Sequence, residues 1–170
     1  FWFGSSAPRM DCKVAASVAH IYDKVIAGAE SYTAGWAAGD WQNDPYKLKS
    51  LGDEALCMGV NKFVFHRYAL QPWLDRFPGM TMGRWGSHFE RTNTWWEQGA
   101  AWFKYVARCQ WLLRQGQFVG DVAVLAGEGV PCYLGYREEL NPPLPEGYDY
   151  DGVDAPTILT RMTVKNGRLA

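Results

Sequence analysis

Long apolar runs, basic clusters and paired metal-ligand motifs are all missing from this chain. No apolar stretch approaches 18 residues, so nothing reads as a membrane-spanning helix. Seventeen lysines and arginines face 18 aspartates and glutamates, a net charge of -1, and no basic run stands out. A nucleic-acid partner is therefore not expected. The four cysteines, Cys12, Cys57, Cys109 and Cys132, show no C-x-x-C spacing, which leaves zinc and dithiol-redox chemistry without support. Cys12, Cys57 and Cys109 fall among apolar residues in helical segments and read as buried free thiols. Internal repeats and low-complexity tracts are absent as well. The 170 residues can fill one ordinary domain. They are too few for a complete eight-stranded parallel barrel, which needs roughly 250. A chain that opens on Phe1 and stops at Ala170 inside a hairpin pattern reads as an internal fragment, so the lack of a signal peptide is uninformative.

What the chain has in excess is tryptophan, nine in all. Flat aromatic rings pack cores, and they also cover the apolar face of a sugar ring. Trp36, Trp41, Trp73, Trp85 and Trp95 lie in or beside polar, Gly-rich loops, where ligand contact is an open alternative to packing. Trp102 and Trp111 lie within a helical pattern and are assigned to packing.

Local signals give an alternating α/β order. Ser6 with Pro8 in a first turn opens a helix whose apolar stripe is Met10, Val14, Val18 and Ile21. Residues 25–31, "VIAGAES", form a short apolar run with small residues, expected as a buried parallel strand. Asp44 and Pro45 mark a helix start, and Leu48, Leu51, Ala55 and Met58 make its inner stripe before Gly59 ends it. Residues 62–66, "KFVFH", are the next strand, which makes a βαβ unit and hence a parallel pair. A long irregular stretch, 67–94, then collects Gly, Pro, Trp and His; a loop of that length in a compact domain usually has a use. A helix is expected over 94–115, with Trp96, Phe103, Val106, Cys109 and Leu113 on one face and Glu97, Lys104, Arg108 and Gln115 on the other. Residues 121–127, "DVAVLAG", read as another buried strand. Asp154 caps a short helix reaching Met162, and Asn166-Gly167 marks a hairpin turn. The composition changes near Phe118, which divides the chain into 1–118 and 119–170.

Both strands of the first unit end in reactive side chains. Glu30 closes one and the His66-Arg67-Tyr68 cluster closes the next. Polar groups at the C-terminal tips of consecutive parallel strands are how a (β/α)8 barrel hydrolase builds its site. Glu30 is the candidate catalytic carboxylate, and Glu90 its rival. His66, Tyr68, Gln71, Trp85, His88, Asn93 and Trp95 are candidate substrate contacts. Each has an ordinary structural alternative: an ion pair of Glu30 with Arg67, a hydrogen-bonded core histidine at 66, loop ordering by Tyr68 and Gln71. The long loop should lie over the strand tips beside Glu30.

The segments "GVNKFVFHRYALQPW", "PGMTMGRWGSHFERTNTWWEQGAAWFKYVARCQWLLRQGQFVGDVAVL" and "YDYDGVDAPTILTRMTVKNGRL" together resemble glycoside hydrolase family 106, the α-L-rhamnosidases. The resemblance implies that 1–118 is the C-terminal portion of a TIM barrel, with 25–31 and 62–66 as strands seven and eight. It implies that 119–170 begins a flavodoxin-like, amidotransferase-like α/β domain. It further implies an inverting, two-carboxylate hydrolysis of terminal α-L-rhamnosyl linkages in plant or bacterial glycans, with Glu30 as general base and the acid outside this chain. Calcium at the site, with ligands not assignable here, and a periplasmic or secreted bacterial location are part of the same implication. The partners would be a carbohydrate substrate and the rest of the same polypeptide. A retaining β-galactosidase-like glycosidase and a non-catalytic carbohydrate-binding relative stay open as alternatives.

Overall fold

The computed structural model describes residues 1–6, 8–35, 39 and 41–169. Trp36, one of the loop tryptophans singled out above, lies outside the described residues. A parallel sheet of three strands, in chain order, organises the first unit: β1 (Trp2–Phe3), β2 (Gly28–Ser31) and β3 (Lys62–Phe65). The register sets Trp2 and Val64 on either side of Glu30, and Phe3 and Phe65 on either side of Ser31. Helices α1 (Arg9–Ile21) and α2 (Pro45–Cys57) make the crossovers, and α3 (Ala100–Leu112) follows the long loop after β3.

Alternation along the strands gives the sheet two unlike faces. Phe3, Ala29 and Phe63 point into a core shared with Cys12, Leu48, Ala55, Trp102 and Val106 from the three helices. Trp2, Gly28, Glu30, Lys62 and Val64 point the other way and are exposed. Tyr32 closes the core just past the end of β2. It is fully buried, its ring meets Phe3 edge-on at 5.1 Å and stacks on Phe65 at 5.6 Å, and its backbone is left-handed at φ 66°.

Helix α2 forms as its sequence directs. The Asp44 side chain accepts hydrogen bonds from the Tyr46 and Lys47 amides, Pro45 takes the first turn, and Gly59 leaves at φ 97°. A second sheet pairs β4 (Val122–Leu125) with β5 (Tyr150–Val153) in parallel. Helix α4 (Ala155–Thr160) follows, capped by Asp154 on the Thr157 amide. The hairpin β6 (Val164–Lys165) and β7 (Arg168–Leu169) turns through Asn166 and Gly167, both at positive φ.

Several expectations need correction. The sheet has three strands here, because the two-residue β1 adds to β2. Helix α1 starts at Arg9, with Pro8 in the cap position, and its buried face is not the expected Val14 and Val18, which are exposed. The buried residues are Cys12, Lys13, Ala16, Ser17 and Ala19. The cause is β5, which lies against α1: Lys13 pairs with Asp149 at 2.8 Å, the Gly152 amide donates to Ser17 Oγ, and His20 Nδ1 sits 2.9 Å from Asp151. Helix α3 starts at Ala100, not 94, because 91–99 are wound into turns tied to other loops. Strand β2 begins at Gly28, with Val25 and Ile26 exposed. β4 is mostly exposed, since α1 packs on β5 and not on β4. Cys57 and Trp111 lie on outward helix faces and are exposed, whereas Cys12 and Trp102 are buried as expected.

Candidate functional site

A carboxylate at position 30 is displayed by the strand itself. With Ala29 and Ser31 buried, the period of two sends Glu30 to the helix-free face one residue before β2 ends. It is exposed, accepts a hydrogen bond from Thr33 Oγ1, and takes part in no ion pair among the described residues. The ion pair with Arg67 considered above is therefore not made.

The long loop folds back across the same end of the sheet. Its segment 86–89 is stitched to the strand tips by main-chain hydrogen bonds. The Gly86 amide donates to Ala34 O at 2.8 Å, and the Ser87 amide to Tyr32 O and His66 O at 3.1 and 2.9 Å. The Arg67 amide donates to Ser87 O at 2.8 Å, and the Phe89 amide to Arg67 O at 3.1 Å. Gly86 is at φ 84°, and a Cβ there would meet His66 Nδ1 at 2.4 Å, so the glycine is what lets the loop lie against the imidazole. His66 is half-buried and its Nδ1 has no hydrogen-bond partner among the described residues.

The other sequence candidates divide by what they touch. Gln71 is fully engaged: its amide donates to Glu90 Oε2 and Pro78 O, and its carbonyl accepts from Arg91 Nε. Asn93 donates to the His88 carbonyl, and the Trp95 indole donates to Asn43 O while its ring packs on Phe89. Those three order the loop. Tyr68 is exposed and meets Trp96 edge-on, and Trp85 is partly exposed over Gly35. His88 is buried and lies flat against the Trp41 ring.

Glu90 has a different setting from Glu30. It is 0% exposed, and both of its oxygens are occupied by Thr92 and Gln71. Arg67 is its electrostatic neighbour. Burial lowers the Arg67 guanidinium from its ordinary value, with the Glu90 charge opposing that shift, and Arg67 Nε and Nη2 have no hydrogen-bond partner among the described residues. The sequence placed Arg67 in the strand-tip cluster, His88 among the candidate contacts and Trp41 in the Gly-rich loop after β2, but nothing in it linked Arg67 to Glu90 or Trp41 to His88.

Calcium takes six to eight oxygen ligands. Among the described residues no cluster of three or more His, Cys, Asp or Glu side chains could hold a metal ion, and the Glu90 oxygens are already bonded within the protein. No helix among the described residues is long and apolar enough to cross a membrane.

The model of glycoside hydrolase family 106, described as alpha-L-rhamnosidase, matches residues 4–170. A protein of Formosa agariphila that carries the provisional name beta-glucuronidase is 40% identical over 169 residues, which is 99% of this chain and 14% of that protein. The solved structure of a rhamnosidase from Novosphingobium sp. PP1Y superposes with a TM-score of 0.82 at 29% identity, over 99% of this chain and 16% of that one. The chain thus spans about a seventh of the length of these relatives.

Proposed function

The chain belongs to glycoside hydrolase family 106, and we propose that in the complete polypeptide it supplies one end of an α-L-rhamnosidase active site, with Glu30 as the general base. One observation carries this reading: Glu30 is a solvent-reaching carboxylate at the C-terminal tip of a parallel strand, on the face no helix covers. In a barrel that face would turn toward the axis, and the exposed Trp2 and Val64 would be covered there by strands beyond this chain. The assignment of β2 and β3 as strands seven and eight then makes β1 the sixth.

An inverting hydrolysis needs a base that activates water on one side of the anomeric carbon and an acid that protonates the leaving oxygen on the other. The two carboxyl groups are held ~6.5–9.5 Å apart. Glu30 can take the proton from that water because its carboxylate is open to solvent and steadied by one hydrogen bond from Thr33. Glu90 is the weaker choice, since its oxygens are occupied and no water reaches them. The acid comes from another part of the polypeptide.

The test is Glu30→Gln in the complete polypeptide, assayed on an aryl α-L-rhamnoside with an aryl β-glucuronide alongside. Loss of a general base should lower kcat roughly 10²–10⁴-fold while the fold is kept. Wild-type turnover in that variant, or cleavage of the glucuronide alone, contradicts the proposal.

A further inference from the structure

We propose that Trp41 is a stacking platform for the sugar ring at this site, a binding role that rests on the reading above. The loop after β2 carries Trp41 in a left-handed backbone conformation, φ 58°, which a bulky residue seldom adopts unless its surroundings hold it there. One face of its indole lies on the His88 imidazole, with centroids 3.7 Å apart and planes within 2° of parallel. The residue is nonetheless 41% exposed, which leaves surface beyond the His88 contact for a ligand.

The support beneath the ring is firm. His88 is 1% exposed, its carbonyl accepts from Asn93, and the preceding Ser87 amide is bonded to the Tyr32 and His66 carbonyls. The stack is therefore anchored to the strand ends from which Glu30 and His66 emerge. A ring already fixed on one face loses little freedom when a ligand covers the other. A pyranose presents a face of C–H groups, and a 6-deoxy sugar adds a methyl in place of a hydroxyl, which is the chemistry such a platform accepts. Its position at the strand tips makes it a substrate-binding residue.

Binding of free L-rhamnose to the complete polypeptide, followed by titration calorimetry, tests this separately from hydrolysis. Wild type should bind saturably, and Trp41→Ala should bind about tenfold more weakly. Trp41→Phe, which keeps a ring over His88, should stay within about threefold of wild type. Unchanged affinity in Trp41→Ala, no binding in wild type, or Trp41→Phe as weak as Trp41→Ala while still folded by circular dichroism would each overturn the platform. If the alanine variant does not fold, the phenylalanine variant against wild type decides, and a tenfold loss there overturns it. Trp41-dependent binding without rhamnoside hydrolysis would leave the platform standing and remove the proposed activity instead.

Discussion

Gly52 sits in the middle of α2, where helix propensity alone says that alanine would be better by roughly 1 kcal/mol. The structure predicts the opposite sign. A Cβ at position 52 would lie 2.3 Å from the Tyr32 hydroxyl oxygen and 3.4 Å from Phe63 Cε2. Tyr32 has no room to withdraw, since its ring is enclosed by Phe3, Phe63, Phe65, Phe89 and Trp102. Overpacking of that kind costs ~1–3 kcal/mol, so Gly52→Ala should come out net destabilising by about 1 kcal/mol. The hydroxyl itself is buried without a hydrogen-bond partner among the described residues, and burial pushes its pKa well above the ordinary tyrosine value. Tyr32→Phe should thus be neutral or stabilising, by up to ~1–3 kcal/mol. In the Tyr32→Phe background the nearest remaining atoms are Phe63 Cε2 at 3.4 Å and the ring carbon Cζ at 3.5 Å, ordinary contact, and Gly52→Ala should turn stabilising. Hydrogen exchange of the α2 amides reads this cycle within a larger polypeptide. An equal penalty for Gly52→Ala in both backgrounds would refute the steric account. The functional stake is the turn after Glu30: Tyr32, locked in the core with left-handed backbone, sets how the strand tip leaves the sheet.

Two further outcomes can be checked. Burial pushes the Cys12 thiol up to about 12, while Cys57 and Cys132 are exposed. Iodoacetamide at pH 8, followed by mass spectrometry, should label Cys57 and Cys132 well before Cys12; equal rates would contradict the burial of α1. Asp154 is held below the usual carboxylate range, chiefly by its hydrogen bonds with Thr157 and with a further contribution from Tyr22. A depressed folded-state pKa means the contribution is present above the unfolded value of about 3.9 and is lost as pH falls through the folded value. The protection of α4 amides in wild type relative to Asp154→Asn should therefore be greatest near neutrality and shrink below about pH 4. An advantage that grows on acidification has the wrong sign.

Where a residue's structural reason lies within a few positions of it, the sequence discloses the structure. Asp44, Pro45 and Gly59 bracket α2, Asn166-Gly167 turns the last hairpin, and alternation along 28–31 points Glu30 outward. Where the reason lies far along the chain, it does not. The buried face of α1 is chosen by Asp149, Asp151 and Gly152, more than 130 residues along the chain, so Lys13 is covered while Val14 and Val18 are left exposed. The turns at 91–99 replace helix because Asn93 and Trp95 are tied to His88 and Asn43. β1 is two residues long and cannot show a period. The Trp41–His88 stack joins two loops with no pattern linking them, and the burial and hydrogen bonds of Glu90, the rival to Glu30, come from Thr92 and Gln71, which no sequence signal connects to it.

The central claim is that Glu30 serves as base in an inverting hydrolysis, and the stereochemistry of the released sugar tests it most directly. Proton NMR during cleavage of an aryl α-L-rhamnoside by the complete polypeptide should show β-L-rhamnose first, with the α anomer growing only as mutarotation proceeds. Initial release of α-L-rhamnose would require a covalent intermediate on carboxylates ~5–5.5 Å apart and would contradict the role given to Glu30.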